Sequence, residues 1–447
     1  RPVRPPRNPP EAGPRDPSSP RLIMTYDEAL VYLKGRERYG IKFGLANIDR
    51  LAQALGRPER RYASLLVAGT NGKGSTVALS ESILRASGLK SGRYTSPHLR
   101  FVEERIYIEG RPIPREELAR AVSRVAEVAA RLFEGEPDRS APTYFEAMTA
   151  AAFLAFAERG VEVAVLEVGM GGRFDATNIA PADVSVIAPI GFDHERFLGG
   201  TLAAIAAEKA AIIKEGRPVV VGRLEPEALE VVRREAEAKK APLIAALEGV
   251  EIRSEETGEG QTVWLETPSR NYGVLELPLA GAHQLDNLAL AVRAVECYSR
   301  SLTIECVARG VAATEWPGRL QRIEGKPALL LDAAHNVMAT EALVRYLESH
   351  PHPRRVLLFG VMKDKRVWEM LEQLLPLVRY FIATRPEMSR ARDPEKLARF
   401  AKERGVPAEA VRSPEAALAR AREVAGPEGE VLVAGSIFLL GEVLPAL

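Results

Sequence analysis

Cysteine is nearly absent: the 447 residues include only Cys297 and Cys306, with eight residues between them. Two thiols so placed make neither a disulfide framework nor a metal-ligand spacing, and a reducing cytoplasm is the expected compartment. An excess of either charge is missing too, since 61 basic and 60 acidic residues leave a net charge of +1. That balance argues against nucleic acid or a membrane surface as the main partner. No apolar run approaches the roughly 20 residues that span a bilayer, and there is no signal-peptide core. What is present is a globular composition, 46% apolar and 27% charged. The length exceeds one core, so two domains are expected. Residues 1–20 hold eight prolines and no apolar periodicity, so 1–23 read as a disordered Pro-rich tail, with Met24 a fitting start.

The rest of the chain is organised around Tyr62–Thr76, YASLLVAGTNGKGST. A buried strand over Ser64–Ala68 runs into a glycine-rich turn and then a helix from Lys73. Gly69, Gly72 and Gly74 let several N–H groups converge on one anion, and the helix N-terminus points its positive end there. Lys73 adds a full charge, and Ser75 or Thr76 offers a hydroxyl suited to Mg²⁺. The order of these parts describes a nucleotide-phosphate cradle. It departs from the Walker A pattern: Val67 stands where its first Gly should be, and Gly74 separates Lys73 from Ser75. A glycine-rich helix entry with a surface lysine is the plainer alternative.

Strands and helices then alternate, which predicts a doubly wound, mostly parallel sheet with ligands at the strands' carboxyl ends. Helices are expected over Tyr26–Gly35, Leu45–Leu55, Lys73–Ala86, Pro114–Phe133, Tyr144–Glu158, Leu202–Lys214 and Gly281–Tyr298. Strands are expected at Val161–Val168 and Val184–Pro189, and a small antiparallel excursion over Gly249–Leu279, with strands Val263–Leu265 and Val274–Leu277. The Trp316-Pro317-Gly318-Arg319 break divides a P-loop domain (24–316) from a smaller α/β, Rossmann-like domain (317–447) with strands Ala328–Asp332, Arg355–Phe359, Tyr380–Thr384 and Glu430–Ala434.

Three loops carry further chemistry. Thr95-Ser96-Pro97-His98-Leu99 presents Ser96 near the cradle, and Glu167 is a costly carboxylate at a buried strand end. Gly191-Phe192-Asp193-His194-Glu195 follows the next strand. Ser96, Glu167 and His194 make a hard-metal set with Ser75; alone, His194 reads as a capping or solvent histidine. Lys209 reads by spacing as a solvated helix lysine, and Asp332 as a helix cap.

The variant G-T-N-G-K-G-S, with T-S-P-H-L, G-G-R-F-D-A-T-N (171–178), A-E-K-A-A-I-I-K (207–214) and D-A-A-H-N (332–336), resembles the Mur-ligase superfamily, specifically its folylpolyglutamate synthase/dihydrofolate synthase family. The likeness runs from about Tyr26 to the C-terminus. It implies ATP-dependent ligation of L-glutamate to folate or dihydropteroate through an acyl phosphate, in folate biosynthesis. It also implies two Mg²⁺ ions and a carbamylated Lys209 that helps hold the second. By the same resemblance Asn71, Gly72, Lys73, Gly74, Ser75, Asn287, Arg319 and Asp332 bind ATP, and Lys73, Lys209 and His335 are catalytic. Thr143 and the Phe174-Asp175-Ala176 turn contact the pterin. Gly40–Leu45, G-I-K-F-G-L, resembles a segment near that substrate, or is an ordinary interhelix turn. Val337 replaces the family's usual proline after D-x-A-H-N. Expected partners are small-molecule substrates, with the chain a monomer. A cell-wall Mur ligase and a non-catalytic P-loop module are the rival readings.

Overall fold

A parallel strand covered on both faces has to be apolar throughout, and Ala63–Ala68 (β1) is. Leu66 and Ala68 enter one core while Leu65 and Val67 enter the opposite one. The computed structural model describes residues 23–40, 42–137, 140–258, 260–299 and 301–444; the Pro-rich stretch 1–22 and Ile41 lie outside them. β1 is an inner strand of an eight-stranded sheet. The others are β2 (Ser91–Tyr94), β3 (Ile106–Ile108), β4 (Arg111–Pro112), β5 (Val163–Glu167), β6 (Val184–Ile187), β7 (Val219–Val221) and β8 (Leu243–Ala245), in the order β4-β3-β2-β5-β1-β6-β7-β8. From β2 to β8 neighbours run parallel; β3 and β4 join antiparallel at one edge.

Helices cover both faces. Tyr26–Arg36, Arg115–Leu132, Tyr144–Glu158 and Pro226–Ala238 contribute to the first core. Lys73–Ala86, His283–Tyr298 and Ile304–Ala312 contribute to the second, together with an antiparallel sheet of β9 (Glu251–Thr257), β10 (Gly260–Glu266) and β11 (Asn271–Leu277). The sequence pattern marked two strands in this excursion. The third, β9, is mostly charged and exposed and has no apolar alternation to reveal it. The helix expected through Lys214 ends at Ala210.

The second sheet joins β12 (Gln321–Ile323), β13 (Ala328–Leu331), β14 (Arg355–Phe359), β15 (Tyr380–Ala383), β16 (Ala408–Ala410) and β17 (Glu430–Ala434) in the order β12-β13-β17-β14-β15-β16. All its pairs are parallel except β12–β13. Here too alternate residues feed two cores: Leu357 and Phe359 point to one, Val356 and Leu358 to the other. β12 and β16 are three-residue edge strands, too short to carry a periodic signal. Arg355, opposite Glu430 in register, is fully buried and ion-paired to it at 2.5 Å. No described helix is long and apolar enough to cross a membrane.

Candidate active site

β1 ends at Ala68 and the helix Lys73–Ala86 begins after four intervening residues, so that turn faces the carboxyl edge of the sheet. Gly72 caps that helix at φ 80°, and a Cβ there would lie 2.3 Å from Asn287 Oδ1. A Cβ on Gly74 would lie 2.3 Å from the Trp316 ring. Close approach from two sides therefore demands glycine, and it brings Asn287 and Trp316 onto the cradle. Lys73 Nζ donates to Thr70 O at 3.1 Å. Thr76 Oγ1 donates back to Gly72 O at 2.9 Å, which leaves Ser75, buried beside it, as the hydroxyl available to a ligand. Thr70 ties the turn to the loop after β6: its hydroxyl donates to Gly191 O and accepts from Gly191 N–H, both at 3.0 Å.

Glu167 ends β5 and pairs in register with Val67 of β1, so it stands beside the cradle. It is buried, and burial raises its carboxyl pKa against the pull of the Lys73 charge. Ser96 N–H donates to its Oε2 at 3.1 Å, while Oε1 carries no hydrogen bond among the described residues. His194 adopts a left-handed φ of 53°, and burial lowers its pKa to about 4, which keeps the imidazole neutral with a lone pair to offer. Among the described residues no three His, Cys, Asp or Glu side chains cluster as a metal set. Any cation here would be held by Glu167 and His194 with hydroxyl and ligand oxygens. Glu167 fits such a group through its free oxygen.

Lys209 is not a solvated helix lysine. It is 4% exposed, donates from Nζ to Gly69 O at 2.8 Å, and its pKa is lowered to about 7 by burial and then by Lys73. Lys214 is also drawn in. It lies beyond the helix end, its Nζ donates to Asn178 O and Oδ1 at 2.7 Å each, and burial lowers its pKa to about 8.

The second domain contributes the loop before β12 and the one after β13. Arg319 is buried enough for its pKa to fall, with Asp332 and Glu167 pulling the other way. Asp332 is engaged by backbone: Leu320 N–H donates to Oδ2 at 2.9 Å and Ala334 N–H to Oδ1 at 2.8 Å. It thereby shapes the turn that carries Arg319, and the helix cap proper is Asn336, whose Oδ1 accepts from Ala339 N–H. His335 Nδ1 lies 2.9 Å from Ala333 O, and its Nε2 faces the first domain, 3.6 Å from Asp193.

A cavity of about 910 Å³ lies where the domains meet, lined by Thr143, Phe174, Asp175 and Ala176 along with Ser96, His194 and His335. The structure thus joins the pterin candidates to two of the metal candidates, while residues 69–75 of the cradle are not on the cavity wall. Thr143 caps the helix Tyr144–Glu158, accepting from Glu146 N–H. Asp175 accepts from Met170 and Thr177 N–H and from the Thr177 hydroxyl, so its side chain holds the loop. Phe174 is half exposed and meets Phe43 edge to face at 6.2 Å, and Phe43 meets Phe197 at 6.3 Å. Lys42 and Phe43 of the G-I-K-F-G-L segment do line the cavity.

Sequence reasoning assigned no role to Asp193, Asn336 or Lys365, which stand between the domains. Asp193 and Asn336 lie inside the G-F-D-H-E and D-A-A-H-N motifs, which is the available signal; Lys365, 172 residues from its partner, carries none. Arg105, on the cavity wall, donates to His98 Nδ1 at 2.8 Å.

A glycine-built anion cradle on one doubly wound sheet, roofed by a second parallel sheet, is the architecture of a two-domain P-loop enzyme. The model of the Mur ligase middle domain matches residues 67–295, and that of the Mur ligase glutamate ligase domain matches residues 318–437. The Bacillus subtilis dihydrofolate synthase/folylpolyglutamate synthase is 38% identical over 360 residues, 79% of this chain and 83% of that protein. Its Mycobacterium tuberculosis counterpart is 39% identical over 382 residues, 80% of this chain and 78% of that protein. The structure of the M. tuberculosis folylpolyglutamate synthase complexed with ADP superposes with a TM-score of 0.87 at 34% identity, covering 94% of this chain and 98% of that one. Escherichia coli FolC in complex with DHPP and ADP gives 0.84 at 30% identity, covering 96% and 99%. The chain belongs to the Mur ligase superfamily, in its folylpolyglutamate synthase/dihydrofolate synthase family.

Proposed function

We propose that this chain is an ATP-dependent ligase that joins L-glutamate to a folate carboxylate, and to dihydropteroate as well. The observation that carries it is the meeting, at one interdomain cavity, of a phosphate cradle's neighbours Ser96 and His194 with His335 of the second domain. A carboxylate is a poor acyl donor, so phosphoryl transfer from ATP converts it to an acyl phosphate. The glutamate amine then attacks, and phosphate leaves. Asn71, Gly72, Lys73, Gly74 and Ser75 hold the nucleotide phosphates, Lys73 offsetting charge on the moving group. Asn287, against Gly72, and Arg319 on the turn held by Asp332 complete the ATP site. Thr143, Phe174, Asp175 and Ala176 shape the pterin end of the cavity, with Phe174 offering an aromatic face. His335 reaches the reacting groups from the second domain.

Two Mg²⁺ ions belong to this reading, held by Ser75, Ser96, Glu167 and His194, and when bound they neutralise phosphate charge. Lys209, buried and with its amine pKa near 7, is suited to carbamylation, since only the neutral amine attacks CO₂. The chain divides at 316/317 into its two domains, and we read it as a cytoplasmic monomer acting on small molecules. Incubation with ATP, glutamate and folate, dihydropteroate or, as a control, a UDP-muramyl acid, followed by mass analysis, should show an added glutamyl unit on the first two and ADP. ADP release without a glutamylated product, or product only from a UDP-muramyl acid, would overturn it.

A further inference from the structure

The loop after β6 holds Asp193, a residue that faces three side chains of the second domain. Asp193 and Lys365 are each 8% exposed at the side chain, and Lys365 Nζ lies 2.5 Å from Asp193 Oδ1. Asn336 Nδ2 donates to Asp193 Oδ2 at 3.2 Å, and His335 Nε2 lies 3.6 Å from the same oxygen. Asn336 also exchanges amide hydrogen bonds with Asn71 of the cradle, at 2.9 and 3.0 Å. Within its own loop, Asp193 Oδ1 accepts from the N–H of His194 at 2.8 Å, where the backbone is left-handed.

We propose that Asp193 is a positioning residue, a single carboxylate that docks the second domain over the cradle while fixing the turn that carries His194. With the domains apart, the carboxylate and the Lys365 ammonium are each free to be hydrated. With the domains together both are withdrawn from water, and each is tolerated there because the other is present. Removing one partner leaves a buried, unpaired charge only in the docked state, so the population shifts towards the open one. The neighbouring Arg366–Glu195 pair also crosses the domains, at 2.6 Å, but with side chains 41% and 31% exposed it discriminates less between the two states. A chain of contacts thus runs from Asn71 through Asn336 to Asp193 and His194, so that the phosphate end and the acceptor end become correctly placed in the same event.

The inference rests on the ligase reading, and its test therefore includes a readout that needs no turnover. Asp193→Asn, Lys365→Met and the double variant are made in the full chain. Ligase turnover, ADP affinity by calorimetry, melting temperature and small-angle scattering with ADP bound are compared. Each single variant is expected to lose about 10²-fold in kcat, the scale of a misplaced reacting group. ADP affinity falls far less than turnover, because the cradle stays intact while only Arg319 moves off with the second domain, and the radius of gyration with ADP increases. The double variant should lose no more than the worse single one, since both act through one contact. Turnover within about threefold of the parent, or a loss of turnover with unchanged scattering, would overturn the proposal. Lys365→Met, on the opposite domain, settles the matter if Asp193→Asn fails to fold. A parent chain without ligase activity would sink the ligase reading alone, because the scattering comparison still judges the clasp.

Discussion

The two domains build the site, cradle and cavity together, from different materials. The first offers backbone: a turn in which Gly72 and Gly74 admit Asn287 and Trp316, and a carbonyl, Gly69 O, that receives the buried Lys209. The second offers side chains: Arg319, His335, Asn336 and Lys365, each placed by a hydrogen bond or ion pair. Backbone donors converge through local geometry, so that half of the site is a property of a short stretch of chain. Side-chain clasps depend on two distant segments arriving together, so the other half is a property of the docked molecule.

The contrast predicts unequal tolerance to substitution. The sharpest break should come in the second domain, at the Arg355–Glu430 pair where β14 and β17 begin. Glu430→Ala leaves Arg355 buried without its carboxylate, an error that costs about 3–5 kcal/mol, and a urea titration of the full chain should show the loss. An unaltered midpoint would mean that water reaches Arg355. Lys73→Ala is expected to behave oppositely, with normal melting and turnover reduced about 10²-fold, comparable to removing a preorganised donor. Near-normal turnover at saturating ATP would detach Lys73 from the phosphate role.

Lys209 sits on the boundary between the two materials. Its pKa of about 7 lies below the ordinary value near 10.4, so the unfolded chain binds more protons than the folded one between those values. This group's contribution to stability therefore rises with pH through that window and is smallest below about 7. The neutral amine, and with it carbamate formation, should grow about tenfold per pH unit below the pKa and level off above it. A ¹³C spectrum with labelled bicarbonate, taken for the parent and for Lys209→Ala, checks this. A parent spectrum matching the Lys209→Ala one would remove the carbamate. The mildest change is expected at Phe174→Ala, which should raise KM for the pterin acid by about tenfold and leave KM for ATP nearly unchanged. Equal effects on both would move Phe174 out of the pterin end.

Much of this architecture was present in the sequence, and the parts that were missing share a physical cause. Helix Lys73–Ala86 and strand β14 fall where their patterns placed them, because apolar periodicity and caps are local. The charged edge strand β9 and the three-residue strands β12 and β16 have no such pattern. At the site, the glycines of the cradle and the strand-end Glu167 stood out because each is expensive to place without a reason. By spacing Lys209 and Lys214 did not, since burial is imposed by what packs over a side chain, not by its neighbours in the chain, and only the family resemblance singled out Lys209.

The sequence alone determined the order of the strongly patterned strands and helices, the glycine cradle with Lys73, and the family resemblance, all of which depend on residues close together in the chain. Tertiary structure alone decided that Thr76 is tied back while Ser75 is available, that Asp332 shapes a turn while Asn336 caps the helix, and that Lys209 loses its charge readily. It alone decided the pairing of Asp193 with Lys365 across 172 residues. Hydrogen-bond competition, desolvation and long-range ion pairing act through distance in space, and only the folded, docked chain sets those distances.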